Sequence, residues 1–335
     1  MQIAYIFLIL SVIMMLSLFG CASRPNPTSS PPTTSHIDNI PTARPVLDTI
    51  TGNFRNQISI LENNMPRADS EKYVVPTGKQ QEDFAQLASM LIANDLESAV
   101  DIAAKNNYEL HYYTDRGDNQ SVSYLLREQK AIQTGWGLYA LRRDSTNNII
   151  IEVPHPRSDR RTSTVALDIY RALDARALLI AGSVRNANRD GSADVAHAPE
   201  SIFQSVHLAL SKEIQTESGD VIILQIHGFH SSNHEGYPQV VFGLGEKPLP
   251  AEVAIADKIK EALSRQGISA GICTHVESDL KDLCATTNVQ GRSMKEGAFI
   301  HIELDEIIRR HDAAFITALV QAYGNGSLDL STPYP

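Results

Sequence analysis

The chain has 335 residues, of which 42% are hydrophobic and 20% are charged, a composition that is ordinary for a globular protein. Its length allows one large domain or two small ones. The formal net charge of −10 argues against a nucleic-acid partner, because binding to phosphates requires a basic face.

The N-terminal stretch, MQIAYIFLILSVIMMLSLFG, has no charged side chain in its twenty residues, and Cys21 follows it directly. This pattern resembles a bacterial lipoprotein signal peptide (residues 1–20), which is cut before the cysteine that then carries the lipid. The alternative is a transmembrane anchor, because twenty apolar residues can span a bilayer. Both interpretations predict a folded part outside the cytoplasm. Ala22 resembles the residue found in lipoproteins that are sorted to the outer membrane, so we expect anchoring there, on the periplasmic face.

The segments that flank the folded part have weaker patterns. Residues 21–48 are rich in proline, serine and threonine, and they cannot bury enough surface to offset the entropy cost of ordering. We expect this segment to be a disordered tether. Residues 49–66 form a poorly defined lead-in, and residues 327–335 form a tail. Residues 67–326 are predicted to be a single α/β domain.

The first half of that domain combines helices with strands. The stretch QQEDFAQLASMLIANDLESAVDIAAKNN has apolar residues at helical spacing in two pieces. Alternating stretches rich in aromatic and β-branched residues predict the strands of an antiparallel meander: YELHYYTDR, SVSYLLREQ and GWGLYALRRD. The next strand, NNIIIEVPHP, has a continuous isoleucine run, which indicates burial on both faces.

Helices and strands alternate in the second half. The predicted helices are TSTVALDIYRALDA, PESIFQSVHLALSKEIQ, PAEVAIADKIKEALSRQG and DEIIRRHDAAFITALVQAYG. The predicted strands are RALLIAGS, DVIILQIHGF, ISAGICTHV and GAFIHIEL. This order predicts a three-layer α/β/α sandwich with a mixed sheet, which has an antiparallel edge and a parallel centre.

Polar and titratable side chains lie at the ends of several predicted strands. Sites in open α/β sheets lie beyond the carboxyl ends of the strands. The candidates found there are His155, Asp159, Arg185, Asn186, Asn188, His227 and Glu303. Because the same placement recurs on several strands, these residues are predicted to form one site.

Part of this set matches the ligands of a zinc ion. A catalytic zinc site takes three protein ligands and leaves one position for water. His155, Asp159 and His227 supply two imidazoles and a carboxylate for one ion, and Glu303 is the candidate general base. Asp194 is the alternative carboxylate ligand, although it equally suits the start of the helix that follows it.

Several other residues have a predicted role. The candidates for binding a substrate carboxylate are Arg185, Asn186, Asn188 and Arg292. Asn288 and Gln290 either bind a polar substrate or belong to a surface loop. His207 and His301 are expected to be surface residues. Cys273 and Cys284 form a disulfide if the compartment is oxidising, and otherwise they are two buried thiols.

Three segments resemble the zinc carboxypeptidase-like (phosphorylase/hydrolase) fold in residue type and order: VPHPRSD, LQIHGFH and FIHIELDEIIR. Members of that fold include metallocarboxypeptidases, the succinylglutamate desuccinylase/aspartoacylase group, N-formylglutamate amidohydrolases and poly-γ-glutamate hydrolases of phages. The resemblance covers about residues 100–325. It implies that His155, Asp159 and His227 bind zinc and that Glu303 is the general base. Carboxypeptidases place a glutamate three residues after the histidine, whereas here an aspartate lies four residues after it.

The sequence therefore predicts a lipid-anchored, extracytoplasmic, zinc-dependent amide hydrolase. Its substrate is expected to be a small peptide or an amino-acid conjugate, attacked by metal-activated water. The alternative is a non-catalytic binding lipoprotein that keeps the hydrolase fold. Such a protein uses Arg185 and Arg292 for an anionic ligand and does not need Glu303.

Overall fold

The structure is a computed structural model that describes residues 47–119, 121–130, 133–145, 147–274 and 280–323. Over these ranges the chain forms ten strands and nine α-helices. None of the helices described there has the length and apolar character needed to cross a membrane. The predicted signal peptide, the lipidation site at Cys21, most of the tether and the tail at 327–335 lie outside the described residues.

The elements follow one another in two groups. The first group is β1 (Thr49–Gly52), α1 (Phe54–Asn64), α2 (Gly78–Ile92), α3 (Leu96–Lys105), β2 (Tyr108–Asp115), β3 (Val122–Glu128) and β4 (Leu138–Arg142). The second is β5 (Ile149–Val153), α4 (Thr162–Ala172), β6 (Ala177–Ile180), α5 (Ile202–Ser218), β7 (Ile222–Gly228), β8 (Val240–Gly243), α6 (Pro250–Arg265), β9 (Ala270–Cys273), α7 (Val289–Ser293), β10 (Ala298–Leu304), α8 (Glu306–Arg310) and α9 (Ala313–Tyr323).

All of these strands lie in one mixed sheet, in the order β1-β2-β3-β4-β6-β5-β7-β10-β8-β9. The strands β2, β3 and β4 form an antiparallel meander, and β4 pairs with β6 in the antiparallel direction. The four central strands β6, β5, β7 and β10 are parallel, and β8 pairs with β10 antiparallel. The predicted mixed α/β sheet with an antiparallel edge and a parallel centre is confirmed.

Helices cover both faces of the sheet. One apolar core packs α1, α4, α6 and α9 against one face. A second core packs α2, α3 and α5 against the other. Local sequence supports these helices: Thr77 and Gln80 form a capping box at the start of α2, and Gly219 ends α5 with a positive φ of 82°.

Burial is complete along the central strands. Every residue of β5 and β10 is buried, as the isoleucine run of β5 indicates. The parallel register pairs Ile149 of β5 with Ile222 of β7, and Glu303 of β10 with His227 of β7. The carboxyl ends of these three strands therefore open at the same edge of the sheet.

Two segments differ from the sequence-based expectation. Residues 49–66, expected to be a poorly defined lead-in, contain β1 and α1. Asn53 caps α1, and Phe54 packs edge-on against Tyr113 at 5.3 Å between ring centroids. The short strand β8 was not predicted. Both β1 and β8 have only four residues, and partners distant in sequence hold them in place.

Candidate metal centre

Three parallel strands bring the candidate residues together at one edge of the sheet. After β5, a hydrogen bond from the Asp159 backbone N to the His155 backbone O (2.9 Å) closes a turn. His227 lies near the end of β7, opposite Glu303 of β10. All four side chains are more than nine-tenths buried. His155, His227 and Glu303 line the floor of an open cavity of about 330 Å³ together with residues from the loops, and Asp159 contacts both of these histidines.

Three potential ligand atoms converge at this floor. Oδ2 of Asp159 lies 3.5 Å from Nδ1 of His155 and 3.4 Å from Nδ1 of His227. The ligand atoms of these three residues all lie within 4.8 Å of one another. Nδ1 of His155 is buried and has no hydrogen-bond partner in the described part of the chain. A buried nitrogen without a partner is costly, and a metal ion would satisfy it.

The outer nitrogen of each histidine is held by an acceptor. Nε2 of His155 donates to Oδ1 of Asp194 at 2.8 Å, and Nε2 of His227 donates to Oε1 of Gln225 at 2.8 Å. A neutral imidazole that donates through Nε2 carries its lone pair on Nδ1. When both rings are neutral, the two lone pairs therefore point toward the carboxylate of Asp159. Outer contacts of this kind orient the histidine ligands of metal sites.

The same contacts distinguish Asp159 from Asp194, the two carboxylates that the sequence leaves as alternative metal ligands. Asp159 faces the inner nitrogen atoms of both histidines. Asp194 faces the outer nitrogen of His155, and its Oδ1 also lies 3.1 Å from Nδ1 of His197. Asp159 therefore has the position of a metal ligand, whereas Asp194 has that of a support for His155.

The charges of the site suit a cation. Burial raises the pKa of Asp159, but His155 and His227 outweigh it, so that its pKa lies well below the ordinary value. Burial and the neighbouring His301 lower the pKa of His227 to about 4. Burial lowers the pKa of His155, but Asp159 and Asp194 raise it by more. At neutral pH the site thus offers an ionised carboxylate and a neutral His227, as metal binding requires.

Glu303 lies beside this set and is held by His301. Nε2 of His301 donates to Oε1 of Glu303 at 3.1 Å, whereas Oε2 of Glu303 is buried and without a hydrogen-bond partner in the described ranges. The rings of His301 and His227 are in contact, with centroids 4.1 Å apart and a tilt of 33° between their planes. The expectation that His301 is a surface residue is wrong, because β10 is covered on both faces. His207 is likewise buried rather than exposed, since it faces the sheet from α5.

His227, His301 and Glu303 form a second set of potential ligands. In this set His301 already uses one nitrogen on Glu303 itself, and Nδ1 of His301 has no hydrogen-bond partner in the described residues. In the first set the outer nitrogen of each histidine has an acceptor, which leaves the inner nitrogen free. The donor chemistry therefore fits a metal ion better at His155, Asp159 and His227.

Arg185 lines the cavity but is not a free cation. Its guanidinium forms an ion pair with Oδ1 of Asp159, the oxygen that faces away from the histidines. The side chain of Arg185 is 39% exposed, so its remaining N–H groups are open to the cavity. His197 and Lys281 also line this cavity.

The other predicted substrate residues lie elsewhere. Asn188 is buried and holds the backbone of Tyr73 through both ends of its amide, so it supports the fold rather than a substrate. Asn186 is exposed and is not among the described residues that line the cavity. Arg292 lines a neighbouring cavity that shares Ala285 and Thr286 with the first.

A disulfide fixes one wall of the cavity. Cys273 at the end of β9 is bonded to Cys284, and residues 281–288 line the cavity. This segment passes so close to Gly243 that a Cβ atom there would lie 2.5 Å from the backbone O of Leu283. Only glycine allows this approach, so β8 and the disulfide together hold the wall against the sheet.

Sequence reasoning missed a group of buried polar residues beneath the site. Glu152 and Gln225 are fully buried in the central strands and are hydrogen-bonded to each other, and Asn288 and Gln290 contact Gln225 from α7 and its cap. Gln290 is therefore neither a substrate contact nor part of the loop surface, whereas Asn288 is buried but also lines the cavity. A glutamate within an apolar strand requires a partner. Glu303 is a candidate for that reason, and the same rule applies to Glu152.

One stretch matches the spacing of a serine-hydrolase elbow, GISAG at residues 267–271. Ser269 precedes β9, whereas the elbow places its serine at the turn after a strand. Its hydroxyl contacts Gln239, and Ser269 is not among the described residues that line the cavity. The geometry does not support a serine nucleophile here.

The chain matches no protein-family model and no curated protein sequence. Among solved structures it is similar to an N-formylglutamate amidohydrolase from Ralstonia eutropha JMP134, with 12% identity, a TM-score of 0.36, and coverage of 55% of this chain and 96% of that one. It is also similar to a metallo-carboxypeptidase from Pseudomonas aeruginosa, with 14% identity, a TM-score of 0.34 and coverage of 66% of each chain. Both kinds of protein are among those that the sequence resembles. At such identities and TM-scores, the roles of individual residues rest on the contacts within this chain.

Proposed function

We propose that this chain is a zinc-dependent hydrolase that cleaves an amide bond in a small peptide or an amino-acid conjugate. The observation that carries the proposal is the convergence of Nδ1 of His155, Nδ1 of His227 and Oδ2 of Asp159 beneath an open cavity. Two imidazoles and one carboxylate form the ligand set of catalytic zinc sites, which leave a position for water or substrate. One ion fits this set.

A bound zinc ion polarises a carbonyl group and lowers the pKa of a water ligand to about 7. Glu303 supplies the general base: its free Oε2 takes a proton from the attacking water and passes it to the leaving nitrogen. His301 holds the other oxygen of Glu303 and so keeps Oε2 directed to the cavity. The burial of Glu303 keeps bulk water away from this proton transfer.

The cavity favours a substrate with a carboxylate. Arg185, His197 and Lys281 line it, and Arg185 has N–H groups left beside its ion pair with Asp159. A guanidinium suits a carboxylate because it can donate two parallel hydrogen bonds. A free carboxylate is present at the end of a peptide and in amino-acid conjugates.

The proposal includes a lipid anchor at Cys21 and a location on the periplasmic face of the outer membrane. The disulfide between Cys273 and Cys284 supports an extracytoplasmic location, because such bonds persist in oxidising compartments. Radiolabelled palmitate should be incorporated into the wild type and not into Cys21→Ser. A wild type that is unlabelled and remains in the soluble fraction contradicts this part of the proposal.

The decisive test is the metal content of the purified full-length protein, measured by mass spectrometry of the elements. We expect about one zinc per chain in the wild type, and a loss of zinc in His155→Ala and in His227→Ala with the circular dichroism spectrum unchanged. His230→Ala is the matched control, since this exposed histidine follows the same strand but contacts Glu306 instead. It should keep its zinc.

A wild type that neither contains nor takes up zinc, manganese, nickel or iron overturns the hydrolase proposal. The binding lipoprotein then becomes the better interpretation, with Arg185 as its contact to an anionic ligand. If metal is present, a screen of N-acyl amino acids and short peptides follows. Activity in that screen that is lost on chelation and restored by zinc supports the proposal.

A further inference from the structure

A network of buried amide and carboxylate groups lies directly beneath His227. At its centre is Gln225, which is fully buried in β7. Its Oε1 accepts from Nε2 of His227 at 2.8 Å and from Nδ2 of Asn288 at 2.6 Å. Its Nε2 donates to Oε2 of Glu152 at 2.9 Å and to Oε1 of Gln290 at 3.2 Å. Every polar atom of the Gln225 side chain therefore has a partner.

A backbone N–H group, acting through Asn288, fixes the side on which the amide oxygen of Gln225 lies. The backbone N–H of Gly291 donates to Oδ1 of Asn288 at 3.0 Å, and a backbone N–H can only donate. Oδ1 of Asn288 must therefore face Gly291, and its NH₂ group must face Gln225. An NH₂ group requires an acceptor opposite it, so the oxygen of Gln225 has to lie on that side.

The nitrogen end of Gln225 is set independently by a carboxylate. The register of β5 and β7 places Glu152 opposite Gln225. Oε1 of Glu152 accepts from Nδ1 of His207 at 2.7 Å, and Oε2 accepts from Gln225. A carboxylate accepts hydrogen bonds and does not donate them, so it requires the NH₂ group of Gln225 on its side. The two anchors agree on one orientation of the amide.

This orientation determines the state of His227. Because the oxygen of Gln225 faces Nε2 of His227, that nitrogen must carry the hydrogen, and the lone pair of the neutral ring lies on Nδ1. We propose that Asn288, Gln225 and Glu152 are positioning residues that select the Nε2–H tautomer of His227 and keep its Nδ1 free for a metal ion. The role of the tautomer in metal binding rests on the proposed function, whereas the tautomer itself does not.

Two of the three anchors of Gln225 can be reversed without changing the size or the charge of the network; the third, Oε1 of Gln290, makes the longest of the four contacts, at 3.2 Å. In the double variant Glu152→Gln/Asn288→Asp, both anchors exchange donor for acceptor. The carboxylate of residue 288 would still accept from Gly291, but it would now require the NH₂ group of Gln225. The amide at residue 152 would donate to the oxygen of Gln225. With Gln225 turned over, its NH₂ group faces His227, which must then accept at Nε2 and carry its hydrogen on Nδ1.

The measurement is the tautomer of His227 in the metal-free protein at neutral pH, from long-range ¹H–¹⁵N correlation spectra. We expect Nε2–H in the wild type and a shift to Nδ1–H in the double variant. Titration with zinc alone should show an affinity that is about 10- to 100-fold lower in the double variant. Glu128→Gln is the control, since this glutamate binds Thr134 and the backbone of Trp136, which do not line the cavity. It should leave both the tautomer and the zinc affinity unchanged.

The wild type alone can overturn the inference. If His227 carries its hydrogen on Nδ1 in the metal-free wild type, the network does not select the tautomer, whether or not the double variant folds. An unchanged tautomer in a folded double variant would show that Asn288 and Glu152 do not select it. If the tautomer behaves as expected but the wild type binds no metal, the positioning role is supported and the hydrolase proposal fails.

Discussion

Glu303 lies directly opposite His227 on the neighbouring parallel strand. The register of β7 and β10 therefore fixes the spacing between the proposed base and a proposed metal ligand without help from a loop. Sites built on strands are held more closely than sites built on loops, because the surrounding core resists small shifts. The parts of the site that bear on chemistry are accordingly the parts that belong to the sheet or directly follow it.

Replacement of Glu303 by glutamine tests its role as the base. We expect Glu303→Gln to lower kcat by about 10²- to 10⁴-fold, since the amide cannot accept the proton, while the zinc content stays at the wild-type level. Glu306→Gln is the control, because Glu306 is about two-thirds buried, pairs with the exposed His230 and is not among the described residues that line the cavity. Steady-state kinetics and metal analysis on the same samples separate the two effects. Full activity in Glu303→Gln would show that another group moves the proton.

Replacement of His301 tests whether it positions that base. In His301→Ala, Oε1 of Glu303 loses its buried donor, and we expect kcat to fall by about 10- to 100-fold with little change in KM. His301→Gln retains an N–H donor and should recover part of the loss. Zinc content is measured in parallel. Loss of zinc in His301→Ala would instead identify His301 as a ligand, in the second set with His227 and Glu303.

The central part of the fold could be predicted because its pattern is local. The isoleucine run of β5 indicates a strand buried on both faces, and parallel neighbours bring their carboxyl ends together. That rule alone leads to His155, Asp159 and His227. The strand β8 has no such signal, since its four residues are held by pairing with β10 and β9.

The errors concern residues whose role depends on distant partners. Asn188 lies near the end of β6, as a substrate residue should, but its amide is taken up by Tyr73, which is 115 positions away. His301 has the spacing of an exposed strand residue, but it is buried beside His227 and Glu303 at the floor of the cavity. The Gln225 network has no local signature, because side chains from separate elements complete it.

Replacement of Arg185 tests whether the site prefers a substrate with a free carboxylate. We expect Arg185→Ala to raise KM by about tenfold or more for a substrate with a free carboxylate, and to have a much smaller effect on its amidated counterpart. Lys281→Ala is a comparison at another cationic residue that lines the cavity. Because Arg185 also pairs with Asp159, zinc content must be measured in each variant. An equal rise in KM for both substrates would assign Arg185 to the support of Asp159 alone.

The disulfide should stabilise the fold and shape the cavity. Cys273 and Cys284 are 11 positions apart, and closing a loop of this length is worth about 3 kcal/mol in the free energy of unfolding. We expect Cys273→Ser/Cys284→Ser to lose stability of that order and to have a higher KM, because residues 281–288 line the cavity. Zinc content should not change. Denaturation with urea and substrate titration measure the two effects. An unchanged KM would show that β8 holds this wall without the disulfide.

The contacts of Asp83 predict how the free energy of unfolding depends on pH. This buried carboxylate in α2 is 2.5 Å from Nζ of Lys79, 3.0 Å from Nζ of Lys105 and 3.2 Å from Nδ2 of Asn106. Burial raises its pKa, but these three partners lower it by more, to about 2 from an ordinary 3.8. Because the pKa is lower in the folded state, the stabilisation is present above about pH 4 and is lost as the pH falls toward 2.

Asp83→Asn should therefore lower the free energy of unfolding by about 1–3 kcal/mol at pH 6, and the difference from the wild type should shrink steadily between pH 4 and pH 2. Urea denaturation at a series of pH values measures this. Glu82→Gln is the control, since the Glu82 side chain is 71% exposed and lies 4.0 Å from Lys79. A surface pair of that kind contributes little, so its curve should run parallel to that of the wild type. A difference for Asp83→Asn that stays constant with pH would mean that packing, and not the charge, stabilises α2 at this position.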